Sequence, residues 1–250
     1  MILKKNIRKF LNFFNLDFVE IKKEYNFPVE TDENIIEFIN TSNEFSLTGH
    51  LRMYVLSQAI LNVKLNRLEG DFVECGVWRG GNILLYKFLN DYYHLNKSIF
   101  GYDTFEGMVD AEPVDINFRG HSASEQLINT KKSEDLSNVH CYSSIDTVLK
   151  NILKYKNMEN IQLIKGPVEK TLMEEKNLPK KISVLRLDTD WYKSTKVELE
   201  ILFPRLVSGG VLIIDDYGHW QGAQKAVDEY FDKKEWLHYV DYSCRYLIKK

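Results

Sequence analysis

The sequence has few cysteines and no long apolar segment. Its three cysteines, Cys75, Cys141 and Cys244, are far apart, odd in number and without metal-ligand spacing, which fits a reducing cytosol better than a disulfide framework. No stretch reaches the roughly 20 apolar residues that a transmembrane helix needs. Asparagine and aspartate soon interrupt the apolar N-terminus, and no small-residue cleavage site follows. We therefore expect a cytoplasmic protein without stable membrane insertion.

The sequence also lacks an extended basic block, and its net charge is −3. A dedicated nucleic-acid-binding protein should carry a basic face, so that class is excluded. A length of 250 residues allows one large α/β domain with an appendage. We expect an appendage over residues 1–45, acting as a cap or an oligomer contact, and a main domain over residues 46–250. Assembly into a homo-oligomer is left open.

Strands and helices alternate through the main domain, and its strands are apolar. Such a pattern predicts an α/β fold with a mostly parallel sheet covered by helices on both faces. A first helix is expected over residues 46–68, and Thr195 with Glu198 resembles a capping box for a later helix. Residues 236–248 predict a C-terminal antiparallel hairpin. The irregular stretch over residues 107–142 is long enough to predict an active-site lid.

Two of the predicted strands end in acidic residues. The strand Val211–Ile214 is followed by Asp215 and Asp216, and the strand Ile182–Leu187 by Asp188 and Asp190. Ligands bind beyond the carboxyl ends of the strands in open parallel sheets. If these strands are neighbours, the acids converge, and two like charges at about 4 Å repel by roughly 4 kcal/mol at an effective dielectric of about 20. A hard divalent cation such as Mg²⁺, Ca²⁺ or Mn²⁺ would offset that repulsion.

The first strand of the main domain runs into a glycine-rich turn, residues 76–81. Its spacing differs from the G-x-G-x-x-G that seats a pyrophosphate. Glu74, just before the turn, would repel a phosphate but accept a bond from an ammonium, and Asp103 at the end of the next strand suits the hydroxyls of a ribose. A ligand with both an ammonium and a ribose fits S-adenosylmethionine better than NAD. Glycine turns after first strands are common, so a nicotinamide-dependent oxidoreductase stays open on pattern alone.

Four ordered blocks of the sequence resemble the macrocin O-methyltransferase family. They are Gly70–Gly81, Asp103–Met108, Leu187–Thr195 and Gly209–Trp220. The resemblance covers roughly residues 46–235. It implies a Rossmann-like class I methyltransferase fold and a Mg²⁺-dependent enzyme that methylates sugar hydroxyls with S-adenosylmethionine.

The resemblance also implies roles for individual residues. Asp188, Asp215 and Asp216 would bind the metal, with Asp188 as the leading general base. The cofactor-binding residues would be Glu74, Gly76, Gly80, Asp103, Thr104, Phe105 and Gly166. The segment after Gly166 lacks the aromatic residues expected in the family, so the adenine contacts differ. The acceptor cannot be inferred from the resemblance.

Several alternatives stay open at this point. Asp190 competes with Asp188 as a metal ligand, because both face the same crevice. His219 is a second catalytic candidate, although a histidine satisfied by backbone is at least as common. Arg186, inside an apolar strand, is expected to be a paired structural charge. A small phenol with vicinal hydroxyls is an alternative acceptor, and a cofactor- or metal-binding scaffold and a metal-dependent phosphohydrolase are the other functional alternatives.

Overall fold

A computed structural model describes residues 27–250 of the chain. The chain divides into two compact units, Met1–Glu30 and Thr31–Lys250. Residues 1–26 of the expected appendage lie outside the described residues, so its extent and its role stay predictions. Within the described part, helix α1 (Glu33–Asn43) buries Ile35 and Ile39 and begins at Asp32, whose carboxylate accepts a bond from the Asn34 N–H.

The second unit contains eight α-helices and seven strands among its described residues. After α1, the helices are α2 (His50–Asn66), α3 (Gly81–Tyr92), α4 (Ala123–Asn129), α5 (Ile145–Leu153), α6 (Val168–Thr171), α7 (Tyr192–Leu202) and α8 (Gln221–Phe231). The strands are β1 (Asp71–Cys75), β2 (Ile99–Asp103), β3 (Ile161–Lys165), β4 (Ile182–Leu187), β5 (Leu206–Ile214), β6 (His238–Tyr239) and β7 (Arg245–Ile248). Short 3₁₀ turns cover Glu175–Asn177 and Phe203–Arg205.

The seven strands form one sheet in the order β3-β2-β1-β4-β5-β7-β6. Strands β1 to β5 are parallel, whereas β7 runs antiparallel to β5 and pairs with β6. This arrangement confirms the predicted α/β fold with its C-terminal antiparallel hairpin. The last residues of β1, β4 and β5 are in register, because Cys75 pairs with Leu187 and Leu187 with Ile214. The segments that follow these strands therefore start side by side.

The central strands are buried on both faces, as helix-covered parallel strands must be. Every residue of β4 is buried, including Arg186, and in β1 only Asp71 is partly exposed. The core around them is mostly branched aliphatic, with Leu185, Leu212 and Leu199 fully buried. No helix in residues 27–250 combines the length and apolar character needed to span a bilayer.

Two local predictions differ from the structure. The first helix of the main domain is shorter than expected, since α2 spans His50–Asn66. The prediction of a capping box at Thr195 and Glu198 was wrong, because α7 already begins at Tyr192. The Thr195 N–H donates to the Trp191 carbonyl within the helix. The buried Glu198 instead accepts a hydrogen bond from the Thr189 hydroxyl at 2.8 Å.

The predicted lid, residues 107–142, contains more structure than its sequence suggests. It holds the seven-residue helix α4, which begins after Ser122, whose hydroxyl accepts from the Glu125 N–H. An isolated bridge joins Asn117 in the lid to Trp220 beside the acidic strand end. Whether this segment opens and closes stays a prediction.

Candidate active site

The sheet places the acidic strand ends beside each other, as the sequence predicts. Oxygen atoms of Asp188, Asp215 and Asp216 all lie within 4.8 Å of one another. Asp215 and Asp216 are buried, while Asp188 is partly exposed. These are the three residues that the family resemblance names as metal ligands.

Arg186 is the buried cation around which this acidic cluster is organised. One terminal nitrogen bonds Glu74 at 2.5 Å and Asp188 at 2.8 Å, and the other bonds Asp215. The guanidinium is fully buried, and its acidic neighbours hold its pKa well above the usual range against the opposing effect of burial. A planar group with fixed donors suits this position, because it can meet several carboxylates at once.

A second cation reaches the cluster from helix α2. Arg52 pairs with Asp215 and, through Nε, with Asp241 at 2.7 Å. Asp215 thus has a guanidinium on each oxygen. Two arginines offset only part of the negative charge that Glu74, the acid turns and Asp241 bring together, so the site retains an affinity for further positive charge.

Burial shifts the pKa values of the remaining acids of the cluster upward. Burial raises the pKa of Asp188 to about 6 and that of Asp190 to about 7, and burial with the neighbouring Asp190 holds the pKa of Asp216 well above its ordinary value. Asp190 and Asp216 lie close enough for each to perturb the pKa of the other. Closely spaced carboxylates either share protons or bind a cation, and an all-oxygen donor set fits a hard divalent ion. The residues present therefore fit the metal expected from the sequence.

The glycine turn after β1 lies directly against the first acid turn. Gly76 has a φ of +88°, and a Cβ there would lie 1.9 Å from the Asp188 carbonyl oxygen. Its N–H donates to the Tyr102 carbonyl, and the Asp188 N–H donates to the Cys75 carbonyl, both at 2.9 Å. Only glycine allows this approach, so Gly76 joins the predicted cofactor side to the predicted metal side.

Asp103 lies at the end of β2, and its carboxylate holds the glycine turn. It accepts the N–H groups of Val77 at 2.8 Å, Trp78 at 2.9 Å and Phe105 at 2.7 Å. Asp103 lines the cavity, as does Thr104, whose hydroxyl donates to the Gly107 carbonyl at 2.6 Å. Phe105 is buried and does not line it. Asp103 therefore shapes the cavity wall, and its predicted contact with a ribose stays a prediction.

Glu74 lies beneath the cavity rather than on its surface. It is fully buried and bonds Arg186 and, at 3.0 Å, the Asn82 amide nitrogen. Burial raises its pKa to about 8 against the pull of the Arg186 guanidinium. Asn82 does line the cavity, and its buried amide oxygen has no hydrogen-bond partner among the described residues. Asn82 is thus an acceptor for a donor such as an ammonium, one that sequence reasoning missed.

A single cavity of about 520 Å³ joins these features. Its lining includes the three predicted metal ligands and five other predicted cofactor or catalytic residues: Asp188, Asp215, Asp216, Gly76, Asp103, Thr104, Gly166 and His219. Gly80 does not line it; a Cβ there would meet the Val148 side chain at 3.0 Å, so this glycine serves helix packing. The volume lies within the range of small-molecule sites.

Aromatic side chains, which we name the aromatic wall, line the acidic end of the cavity at His219 and Tyr242. The His219 Nδ1 lies 3.0 Å from the Tyr242 hydroxyl, and the His219 ring lies 5.2 Å from that of Phe118 in the lid. Tyr242 and Phe118 are each about half exposed. Burial and the nearby Arg52 lower the pKa of His219, so its ring is neutral at neutral pH. Trp220 also lines the cavity.

The chain is similar to several known proteins. A family model described as macrocin-O-methyltransferase matches residues 20–249. The demethyldecarbamoylnovobiocin O-methyltransferase of Streptomyces niveus is 28% identical over 205 residues, which cover 80% of this chain and 74% of that protein. The mycinamicin III 3''-O-methyltransferase of Micromonospora griseorubida is 28% identical over 194 residues, 75% of this chain and 70% of that protein.

Solved structures share the same fold. The O-methyltransferase NovP superimposes with a TM-score of 0.69 at 27% identity, covering 82% of each chain. The calicheamicin methyltransferase CalS11 gives a TM-score of 0.52 at 17% identity over 93% of this chain and 99% of that chain. At this identity, the similarity to CalS11 shows only that the fold is shared.

Proposed function

Because the chain belongs to the macrocin-O-methyltransferase family and is therefore an O-methyltransferase, we propose that it methylates a sugar hydroxyl with the help of a divalent cation. The observation that carries this proposal is the convergence of Asp188, Asp215 and Asp216 on one wall of the cavity that the glycine turn also lines. The methyl donor is S-adenosylmethionine, and the proposed ion is Mg²⁺.

The two ends of the cavity support two different tasks. Asp188, Asp215 and Asp216 would hold the cation, which when bound lowers the pKa of a coordinated hydroxyl. Gly76 gives the close backbone approach that the methionine end of the donor needs, and Asn82 offers it an unpartnered acceptor. Holding both reactants in one cavity supplies the alignment on which methyl transfer depends.

The geometry supports Asp190 as the group that takes the hydroxyl proton. Asp188, the sequence-based favourite, already bonds Arg186 and would also bind the cation, which leaves it fewer free lone pairs. Asp190 lines the same cavity and lies outside the trio of ligands, yet is close enough to Asp216 to perturb its pKa. A positive φ of 67° at Asp190, unusual for a residue with a side chain, fits a functional position.

The acceptor is proposed to be a sugar on a small natural product. Two relatives are named as O-methyltransferases of demethyldecarbamoylnovobiocin and mycinamicin III, and a third as a 4'-O-methyltransferase of a rhamnosyl-tetracenomycin. The aromatic wall supports a ring-shaped acceptor, because aromatic side chains pack well on the apolar face of a ring. His219, which lines the cavity and has a neutral ring, is a hydrogen-bonding partner for that acceptor.

Two further expectations stay proposals. Three free cysteines support a cytoplasmic location. The net charge of −3 supports a small-molecule acceptor rather than nucleic acid, and self-association stays open.

Calorimetry tests the two halves of the site separately. We expect wild type to bind S-adenosylhomocysteine, the product form of the donor, and Asp103→Ala to lose most of that affinity because the glycine turn loses its anchor. Asp215→Ala and Asp216→Ala should lose Mg²⁺ affinity and Mg²⁺-dependent turnover while they stay folded by circular dichroism. Undiminished cofactor binding by Asp103→Ala would count against the donor site, and unchanged Mg²⁺ binding by both other variants against the cation.

A further inference from the structure

The helices that follow the two acid turns begin without caps of their own. Helix α7 starts after Trp191 and α8 after Trp220, and neither tryptophan provides a side-chain acceptor for the first turn. Free N–H groups at a helix start need acceptors from elsewhere. Both helix starts therefore depend on another part of the chain.

The lid provides both acceptors. Asp115 accepts the Tyr192 N–H at 2.9 Å through one carboxylate oxygen, and the carbonyl of Ile116 accepts the Gln221 N–H at 2.9 Å. Two residues further on, the Phe118 N–H donates to the His219 carbonyl at 2.8 Å. Residues 115–118, which we name the bracing segment, thus bond the chain at the starts of both helices.

The residues around Asp115 accommodate its carboxylate closely. Asp115 is fully buried, and its second oxygen accepts the Glu112 N–H at 2.7 Å. A Cβ on Gly222 would lie 1.8 Å from the Asp115 oxygen, so the glycine in α8 makes room for the lid carboxylate. Behind it Trp191 and Trp220 pack edge to face at 4.8 Å, and the Trp191 indole N–H donates to the Val109 carbonyl of the lid.

The acid turns are tied to these same helix starts. The Trp191 N–H donates to the Thr189 carbonyl at 2.7 Å, and the Trp220 N–H to the Asp216 carbonyl at 3.0 Å. A displacement of either helix start would move an acid turn, because only one or a few residues separate them. We propose that Asp115 is a positioning residue: docking of the lid through Asp115 fixes the spacing of the two acid turns, so lid docking and divalent-cation binding stabilise each other.

This inference rests on the proposed cation site, and coupling of two sites is reciprocal. The test measures Mg²⁺ affinity by calorimetry for wild type, Asp115→Ala and Gly222→Ala, which disturb the same contact from opposite sides. Asp110→Ala is the control, since it removes an exposed lid acid. Residues that orient metal ligands typically contribute 10- to 100-fold to affinity. We expect a loss of about 10-fold or more in both test variants and less than about twofold in the control.

Trypsin cleavage gives the second readout. The lid carries exposed Lys131 and Lys132, and cleavage there is followed by mass spectrometry. We expect Mg²⁺ to slow that cleavage in wild type by about fivefold or more, and both test variants to be cut faster than the control. The wild-type measurement needs no variant to fold.

Three results would overturn the inference. The first is that both test variants keep the wild-type affinity for Mg²⁺ although trypsin cuts their lids faster. The second is a wild type that binds Mg²⁺ without any protection of the lid. The third is a wild type that binds no Mg²⁺, which refutes the proposed cation itself and is recognised by the absence of a calorimetric signal before any variant is made.

Discussion

Replacing Glu198 by glutamine should make the protein less sensitive to rising pH. Glu198 is fully buried in α7, accepts one hydrogen bond from Thr189, and has a second oxygen without a partner among the described residues. Burial raises its pKa to about 8 from an ordinary value of 4.5. Glutamine has the shape of the protonated acid and can keep the bond from Thr189 while carrying no charge.

The sign and size of the effect follow from that pKa. The folded state keeps the Glu198 proton up to about pH 8, whereas the unfolded chain releases it near pH 4.5. The folded state therefore binds more protons between these values, and its stability falls as the pH rises. The slope is about 1.4 kcal/mol per pH unit, so wild type should lose about 2–3 kcal/mol between pH 5.5 and 7.5 through this one group. The Glu198→Gln variant should not lose stability through this group over that pH range.

Urea unfolding followed by circular dichroism measures this difference. Wild type and Glu198→Gln are compared at pH 5.5, 6.5 and 7.5 in EDTA, so that the acid cluster contributes equally to both. Glu200→Gln, an exposed residue on the same helix, controls for the removal of a carboxylate. Parallel stability curves for wild type and Glu198→Gln would contradict this prediction, since they would mean that Glu198 is ionised in the folded protein.

Three other substitutions have defined outcomes. Arg186→Met should lower the free energy of unfolding by about 3–5 kcal/mol in urea titrations without metal, because the buried carboxylates lose their shared cation; a loss under about 1 kcal/mol would contradict this. Gly76→Ala should abolish S-adenosylhomocysteine binding in calorimetry, since its Cβ would lie 1.9 Å from the Asp188 carbonyl oxygen; retained affinity would show that the turn is not the donor site. His219→Phe should raise KM for the acceptor, once one is found, while the calorimetric affinity for S-adenosylhomocysteine stays unchanged; a cofactor defect would place His219 elsewhere in the mechanism.

The acidic half of the site could be predicted because each acid stands next to its strand in the sequence. Asp188 and Asp215 each follow an apolar strand directly, and parallel strands bring their carboxyl ends to one edge of the sheet. Arg186 was expected to be paired, and it is, but its place at the centre of the cluster was not predicted. Its partners lie on three different strands or strand ends, and only the strand order β1-β4-β5 makes them neighbours.

Contacts between distant segments were missed for the same reason. Arg52 reaches Asp215 across 163 residues of sequence, and Asp115 caps α7 from 77 residues away. The capping-box pattern at Thr195 and Glu198 was misleading because the true acceptor lies in the lid, where no local signal marks it. An aspartate in a loop otherwise expected to be exposed becomes informative only when the facing Gly222 is known.

The proposed reaction is methyl transfer to a sugar hydroxyl, with a divalent cation held by Asp188, Asp215 and Asp216. The most direct measurement is transfer of radiolabel from S-adenosylmethionine to a panel of deoxysugar glycosides and nucleotide-linked sugars, with vicinal-diol phenols alongside, in Mg²⁺ and in EDTA. We predict label in at least one sugar, dependent on Mg²⁺ and lost in Asp216→Ala. Label only in the phenols, or label in a sugar that EDTA and Asp216→Ala leave undiminished, would contradict this proposal.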